Sequence, residues 1–384
     1  MPGLLPDVDP DGLLEYSVVF TDRSLNHMSR AFQRTMNDIS STLKDVYGAA
    51  AAIVVPGGGT YGMEAVARQF ATGRKCLVIR NGWFSYRWTQ IFDAGGIPAQ
   101  ATVLKARRTG AASEAPYAPP PLGEVVATIE RERPDLVFAP HVETSAGMIL
   151  PAAYLEAVGR AARSVGALFV LDCIASGAIW IDMAKSGVDI LISAPQKGWS
   201  SSPSCALVML GSRARSAIDT TTSTSFACDL RKWLQIMEAY EKGGHAYHAT
   251  LPTDALVRLR DAMRETASFG FERARAAQQE LGDRVRALFA ARGIASVAAP
   301  GFEAPGVAVF YTRDPEMQAG RRFLAQGLQI AAGVPLQCDE PPDFRSFRIG
   351  LFGLDKLGNV ARTVRSLEAA LAAIVPEAEA QPSR

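Results

Sequence analysis

The chain has 384 residues, room for one large domain and a smaller companion around a sizeable core. Forty Lys and Arg stand against 39 Asp and Glu, and a net charge of +1 creates no long-range field that would collect nucleic acid or an anionic membrane. With 48% hydrophobic and 21% charged residues the composition is that of an ordinary globular protein; its apolar runs are strand-sized, and the first ten residues lack the basic start and apolar stretch of a secretory signal.

From residue 49 onward, apolar strand-like runs alternate with helical periodicity, the pattern of a mainly parallel sheet covered by helices. Strands are expected at 49–55, 75–80, 99–104, 135–140, 168–172, 188–193 and 205–210, with helices at 61–70, 85–94, 123–131 and 152–164. The stretch 105–121, rich in Gly, Ala, Ser and Pro, reads as a solvated excursion or an ordered flap. After Leu251 and Pro252 the texture becomes helical from 254 to about 292, with Gly270 as a kink. A smaller α+β unit follows, with strands at 306–311 and 346–351 and helices at 317–328 and 359–375, before a polar tail at 376–384. The predicted division is an N-terminal segment 1–17, a large α/β domain 18–262 and a small domain 263–384.

Ligands of an open parallel sheet sit at the carboxyl ends of its strands, so the residues just past each strand carry the functional reading. Gly57, Gly58, Gly59 and Thr60 form a glycine turn opening a helix, which is suited to phosphate but by itself is equally a tight turn. No lysine-hydroxyl pair follows it, and no dinucleotide-type glycine pattern is present. Asp172 ends an apolar strand, either as a helix cap or as a fixed buried anion. Lys197 follows the next strand through Ala194, Pro195 and Gln196; a lone lysine there is usually a solvated surface group. Together the two match what pyridoxal phosphate chemistry requires: an amine that condenses with an aldehyde, and an acid that keeps a pyridine nitrogen protonated.

Leu168-Phe169-Val170-Leu171-Asp172 with Ser176 and Gly177, followed by Val188-Asp189-Ile190-Leu191-Ile192-Ser193-Ala194-Pro195-Gln196-Lys197-Gly198, resembles class V aminotransferases of fold type I. It is most similar to the alanine-glyoxylate and serine-pyruvate branch, from about residue 45 onward. The resemblance implies that Lys197 holds pyridoxal 5'-phosphate, Asp172 pairs with its ring nitrogen, and Gly58, Gly59 and Thr60 cup its phosphate beside Gln196. Gly58 and Thr60 stand where the family has serine and histidine. Phe84 aligns with the aromatic ring that stacks on the cofactor, one residue from Trp83, although core packing is the commoner fate of such a ring. Ser145, in His141-Val142-Glu143-Thr144-Ser145-Ala146-Gly147, falls at the position that contacts the cofactor; His141 is left out of catalysis. Tyr247 and Thr250 match residues that reach the neighbouring subunit's cofactor phosphate, implying a homodimer. Arg348, in Phe347-Arg348-Ile349-Gly350, matches the arginine that binds the substrate carboxylate with a planar fork.

The implied activity is ping-pong transfer of an amino group from an alanine- or serine-like amino acid to an oxo acid such as glyoxylate or pyruvate. Two segments depart from the family: the N-terminal entry, where 18–27 includes Arg23, and 334–342, which includes Cys338. Arg23 either accepts a second anionic group of a dicarboxylate or phosphonate, or is a surface ion-pair partner. Five cysteines without CxxC spacing predict reduced, mostly buried thiols, a cytoplasmic location and no metal cage. The alternatives are an ammonia-lyase, a desulfurase, which Gln196 and the position of Cys338 disfavour, and a non-catalytic binding protein on the same scaffold.

Overall fold

A computed structural model describes residues 13–375; what was expected of the first twelve residues and of the tail 376–384 lies outside the described residues. Seven strands form the main sheet: β1 (Ala51–Pro56), β2 (Lys75–Arg80), β3 (Gln100–Lys105), β4 (Leu136–Pro140), β5 (Leu168–Asp172), β6 (Ile190–Ser193) and β7 (Cys205–Leu210). Their spatial order is β1-β7-β6-β5-β4-β2-β3. Only β7 runs antiparallel, to both β6 and β1, and the other pairings are parallel. The strands read as continuous apolar runs because helices cover both faces; Val137, Phe169, Ile190 and Leu207 are completely buried. All seven fall where the sequence predicted them, three with identical ends and the others with ends differing by at most two residues.

The helices around this sheet are α1 (Arg30–Tyr47), α2 (Gly59–Val66), α3 (Trp83–Gly95), α4 (Leu122–Glu132), α5 (Ala152–Ser164), α6 (Leu230–Glu241) and α7 (Thr253–Phe269). A π-helical turn, Ala67–Ala71, extends α2. Helices α1 and α6 were not anticipated, although both carry ordinary start signals. Ser29 accepts the Phe32 N–H and Asp229 accepts those of Arg231 and Lys232, ahead of apolar residues spaced three and four apart. The stretch 254–292 is two helices, α7 and α8 (Phe271–Ala290), because Gly270 adopts φ 96 and ends the first.

A second sheet of three strands, β8 (Val307–Tyr311), β9 (Ala331–Ala332) and β10 (Ser346–Gly350), is ordered β8-β10-β9 and packs with α8 and α9 (Val360–Ile374) around Phe289, Phe310, Phe323 and Phe347. The single helix expected at 317–328 is instead two short turns, Pro315–Gln318 and Arg321–Leu324, separated where Gly320 takes φ 78. The 105–121 stretch is ordered: Arg107–Arg108 pairs with Tyr117–Ala118, and Tyr117 exchanges backbone hydrogen bonds with the 297–299 segment. Most buried apolar side chains up to Met263 join the large core and many from Ala274 onward the second, while a third cluster that includes Tyr117, Val142, Met148, Val297, Val309 and Leu336 draws on both.

Candidate active site

The carboxyl ends of β1, β2, β4, β5 and β6 form one rim. Asp172 closes β5 opposite Pro140 of β4 and level with Ile192 of β6, placing a carboxylate at the centre of the sheet edge. Burial is the main force on it and pushes its carboxyl up to about 6; Ile174 N–H, 2.9 Å from Oδ1, and the charges of Lys197 and Arg87 pull the other way, while Glu143 adds to the rise. Lys197 follows β6 through a tight turn, Ser200 N–H donating to the Lys197 carbonyl at 3.1 Å. Its Nζ lies 5.0 Å from the centroid of Phe352. Burial holds this amine below its ordinary value, opposed by Asp172 and reinforced by Arg348. Gln196 beside it is exposed.

Gly57–Thr60 turns the chain from β1 into α2. Within that turn the first helical hydrogen bond is made by Tyr61, to the Gly58 carbonyl at 2.9 Å, so the N–H groups of Gly59 and Thr60 precede the helix ladder. A Cβ on Gly59 would meet Ile174 Cδ1 at 2.5 Å, whereas Gly58 faces open space. The Thr60 hydroxyl accepts from Arg87 on α3, Nη1 to Oγ1 at 2.9 Å.

Phe84, not Trp83, faces this group. Its ring lies 5.2 Å from the guanidinium carbon of Arg87 and 5.5 Å from that of Arg348, whereas the Trp83 ring packs on Tyr86. The segment is held by Glu143, whose fully buried carboxylate was not singled out from the sequence. It accepts the N–H groups of Phe84 (3.2 Å), Ser85 (2.9 Å) and Ser145 (3.0 Å) and the hydroxyls of Ser85 and Ser145 (both 2.7 Å). Ser145 is completely buried, and its Oγ also accepts the Trp83 N–H at 2.9 Å, so its hydroxyl is engaged behind the aromatic segment. Gly82 is required there, since a Cβ would sit 2.1 Å from Ser145 Oγ.

Arg348, on β10, completes the group from the second sheet. Its Nε donates to the Ala332 carbonyl at 2.8 Å, leaving its remaining N–H groups to face Phe84, and burial lowers its ordinary value. Cys338 packs rather than reacts: its buried thiol is pushed up to about 12, chiefly by burial, and donates to the Arg80 carbonyl at 3.5 Å. His141 Nδ1 pairs with Ser176 Oγ at 2.7 Å, and burial lowers it to about 3, a neutral structural histidine. Three predicted residues lie apart from this group. Tyr247 and Thr250 are exposed and hydrogen-bonded to each other at 3.1 Å. Arg23 is exposed on a segment tied through Ser24 and Leu25 to Asp254 of α7.

These features fit pyridoxal phosphate. A helix start with unladdered N–H groups suits its phosphate, a buried acid its ring nitrogen, a depressed lysine its aldehyde and an aromatic face its ring. The sequence profile of the family described as Aminotransferase class-V matches residues 13–343. The chain belongs to the class V aminotransferases. It is accordingly a pyridoxal phosphate-dependent transaminase working between an amino acid and an oxo acid. Among curated relatives, the soluble hydrogenase small subunit of Synechococcus sp. (strain PCC 6716) is 26% identical, covering 91% of this chain and 87% of that protein. The 2-aminoethylphosphonate–pyruvate transaminase of Burkholderia ambifaria (strain MC40-6) is 28% identical over 83% of this chain and 81% of its own length. The crystal structure of alanine–glyoxylate aminotransferase from Nostoc sp. superposes with a TM-score of 0.75 at 23% identity, covering 90% of this chain and 88% of that one, and shares the fold of this class V aminotransferase.

Proposed function

We propose that this aminotransferase takes the amino group of a small amino acid or aminophosphonate and passes it to pyruvate or glyoxylate, with Lys197, Asp172 and Arg348 as its principal site residues. The observation that carries the reading is the grouping of a depressed lysine amine beside Phe352, a guanidinium beside Phe84 and a buried strand-end carboxylate whose charge acts on that lysine. When bound, the cofactor supplies an electron sink for the pair left by the departing α-proton. Asp172 holds the proton on the ring nitrogen. Arg348 orients the substrate by two parallel hydrogen bonds to its carboxylate or phosphonate. Lys197 Nζ, already held below its ordinary value, takes the proton from the substrate Cα as a neutral amine. Gly58, Gly59 and Thr60, with Gln196 beside the lysine, would hold the phosphate. Glu143, with Ser145, fixes the segment from which Phe84 would meet the cofactor ring.

The working unit in this reading is a homodimer, with Tyr247 and Thr250 reaching the partner's cofactor phosphate. A line of rings supports it: Phe20 contacts His27, His27 contacts Tyr247, and the neighbouring His248 contacts Phe226, while Tyr247 and Phe226 remain 54% and 78% exposed. Arg23 lies on the same N-terminal segment as Phe20 and His27, where it either accepts a second substrate anion or serves as a surface ion-pair partner. The large domain 18–262 and small domain 263–384 then supply Lys197 and Arg348 respectively. Among the described residues no helix is long and apolar enough to cross a membrane. Five free cysteines suit a reducing cytoplasm.

Purified protein is expected to show a visible absorbance band that Lys197→Ala abolishes; protein that stays colourless when supplied with the cofactor refutes the reading. Adding candidate amino acids without an oxo acid separates transaminase from lyase. One equivalent of oxo acid per site, with a spectral change, is the transaminase outcome, and continuous ammonia release is the lyase outcome.

A further inference from the structure

The turn Gly57–Thr60 is poor in side-chain donors. Three of its residues are glycines, and Thr60 supplies its one hydroxyl. That hydroxyl is already held by Arg87, whose Nη1 lies 2.9 Å from Thr60 Oγ1. Arg87 stands on α3 one turn after Phe84, its guanidinium carbon 5.2 Å from the Phe84 ring centroid, and its charge is felt by both Asp172 and Lys197. Among the described residues no carboxylate forms an ion pair with it. A half-buried guanidinium aimed at a helix start, steered by an aromatic face and lacking an anionic partner, is arranged for an anion.

We propose that Arg87 is a cofactor-binding residue, the cationic contact to the phosphate of pyridoxal phosphate beside a glycine turn whose own residues supply only backbone N–H groups and one hydroxyl. This rests on the reading of the site given above. The phosphate would be held between the start of α2 and the Arg87 guanidinium, which Thr60 already links. Guanidinium and helix start act together on a dianion, because the N–H groups aim at two oxygens while the planar fork neutralises charge from the side.

The test is equilibrium titration of cofactor-stripped protein with pyridoxal phosphate and, separately, with pyridoxal, which lacks the phosphate. In Arg87→Gln the Kd for pyridoxal phosphate is expected to rise about ten- to hundredfold, the span of one charge-assisted contact, while the Kd for pyridoxal stays at the wild-type value. Unchanged pyridoxal binding also shows that the variant is folded. Arg87→Lys is expected to recover part of the loss, since the charge remains but the fork is gone. Inorganic phosphate should strengthen pyridoxal binding in the wild type and not in Arg87→Gln. An Arg87→Gln protein that binds pyridoxal phosphate as the wild type does, or that weakens equally toward both ligands, overturns the assignment and leaves the site's reading intact. A wild type that binds neither ligand overturns both.

Discussion

Substituting Asp172 by Asn should stabilise the empty protein and weaken the loaded one, and the sizes of both effects follow from its place at the end of β5. Burial lifts this carboxyl from 3.8 to about 6, so the folded chain binds its proton more tightly than the unfolded chain does. The sign follows: below about pH 4 the group is protonated in both states and costs nothing, whereas above about pH 6 the folded state carries an ionised buried carboxylate. The shift of roughly two units corresponds to a cost of about 3 kcal/mol, fully present at neutral pH. Asn removes the charge, so apoprotein stability at about pH 7.5 should rise by up to ~3 kcal/mol, a net figure in which the attraction to Lys197 is already counted, and its decline between about pH 4 and pH 6 should flatten. With cofactor bound, a protonated ring nitrogen pairs with the carboxylate, and the advantage reverses. Asn cannot hold that proton, and kcat/KM should fall about a hundredfold or more, the equivalent of breaking a buried pair worth ~3 kcal/mol. Unfolding curves for apo and loaded wild type and variant across this pH range, alongside steady-state kinetics, measure both halves. An apoprotein variant no more stable than wild type at about pH 7.5, with the same pH slope, would show that burial does not strain this carboxylate.

Arg348→Lys keeps the charge but loses the fork, and should raise KM for the amino donor about tenfold or more, with a smaller change in cofactor affinity, read from initial rates and cofactor titration. Glu143→Gln places an amide NH2 against N–H donors now satisfied by a carboxylate. A cost of about 1–3 kcal/mol in stability is expected, together with a shift of the visible band as Phe84 loosens, checked by thermal unfolding and absorbance. An unchanged band in that variant would mean that Glu143 does not control the ring.

How far the site could be read from residues alone differs by position. Cys338 illustrates the limit: it lies ten residues before Arg348 in a segment that departs from the family, and its spacing leaves open whether it packs or lines the substrate side, whereas the fold buries it under the Arg80 carbonyl. Glu143 lies within a motif that was read, but nothing local indicates that its carboxylate turns inward onto Phe84 and Ser85, 59 and 58 positions earlier. Nothing in the local sequence marks Arg87, whose contact with Thr60 arises only because α3 packs beside the start of α2. Helices α1 and α6 were legible in principle, through Ser29 and Asp229 as caps.

The sequence by itself determined the seven strands, the glycine turn at the first of them, and the acid and the lysine at two strand ends, features that depend on neighbours within a few residues: apolar runs, glycine and proline breaks, and the alternation that makes parallel strands. The arginine of the second sheet was marked instead by the resemblance of Phe347-Arg348-Ile349-Gly350 to class V aminotransferases. Only the tertiary structure decided that Phe84 rather than Trp83 faces Arg87 and Arg348, that Phe352 lies beside the Lys197 amine, and that Glu143 braces the aromatic segment. Each of these turns on which side of an element meets a segment distant in the chain. That is a matter of packing and burial between elements, which local spacing does not encode.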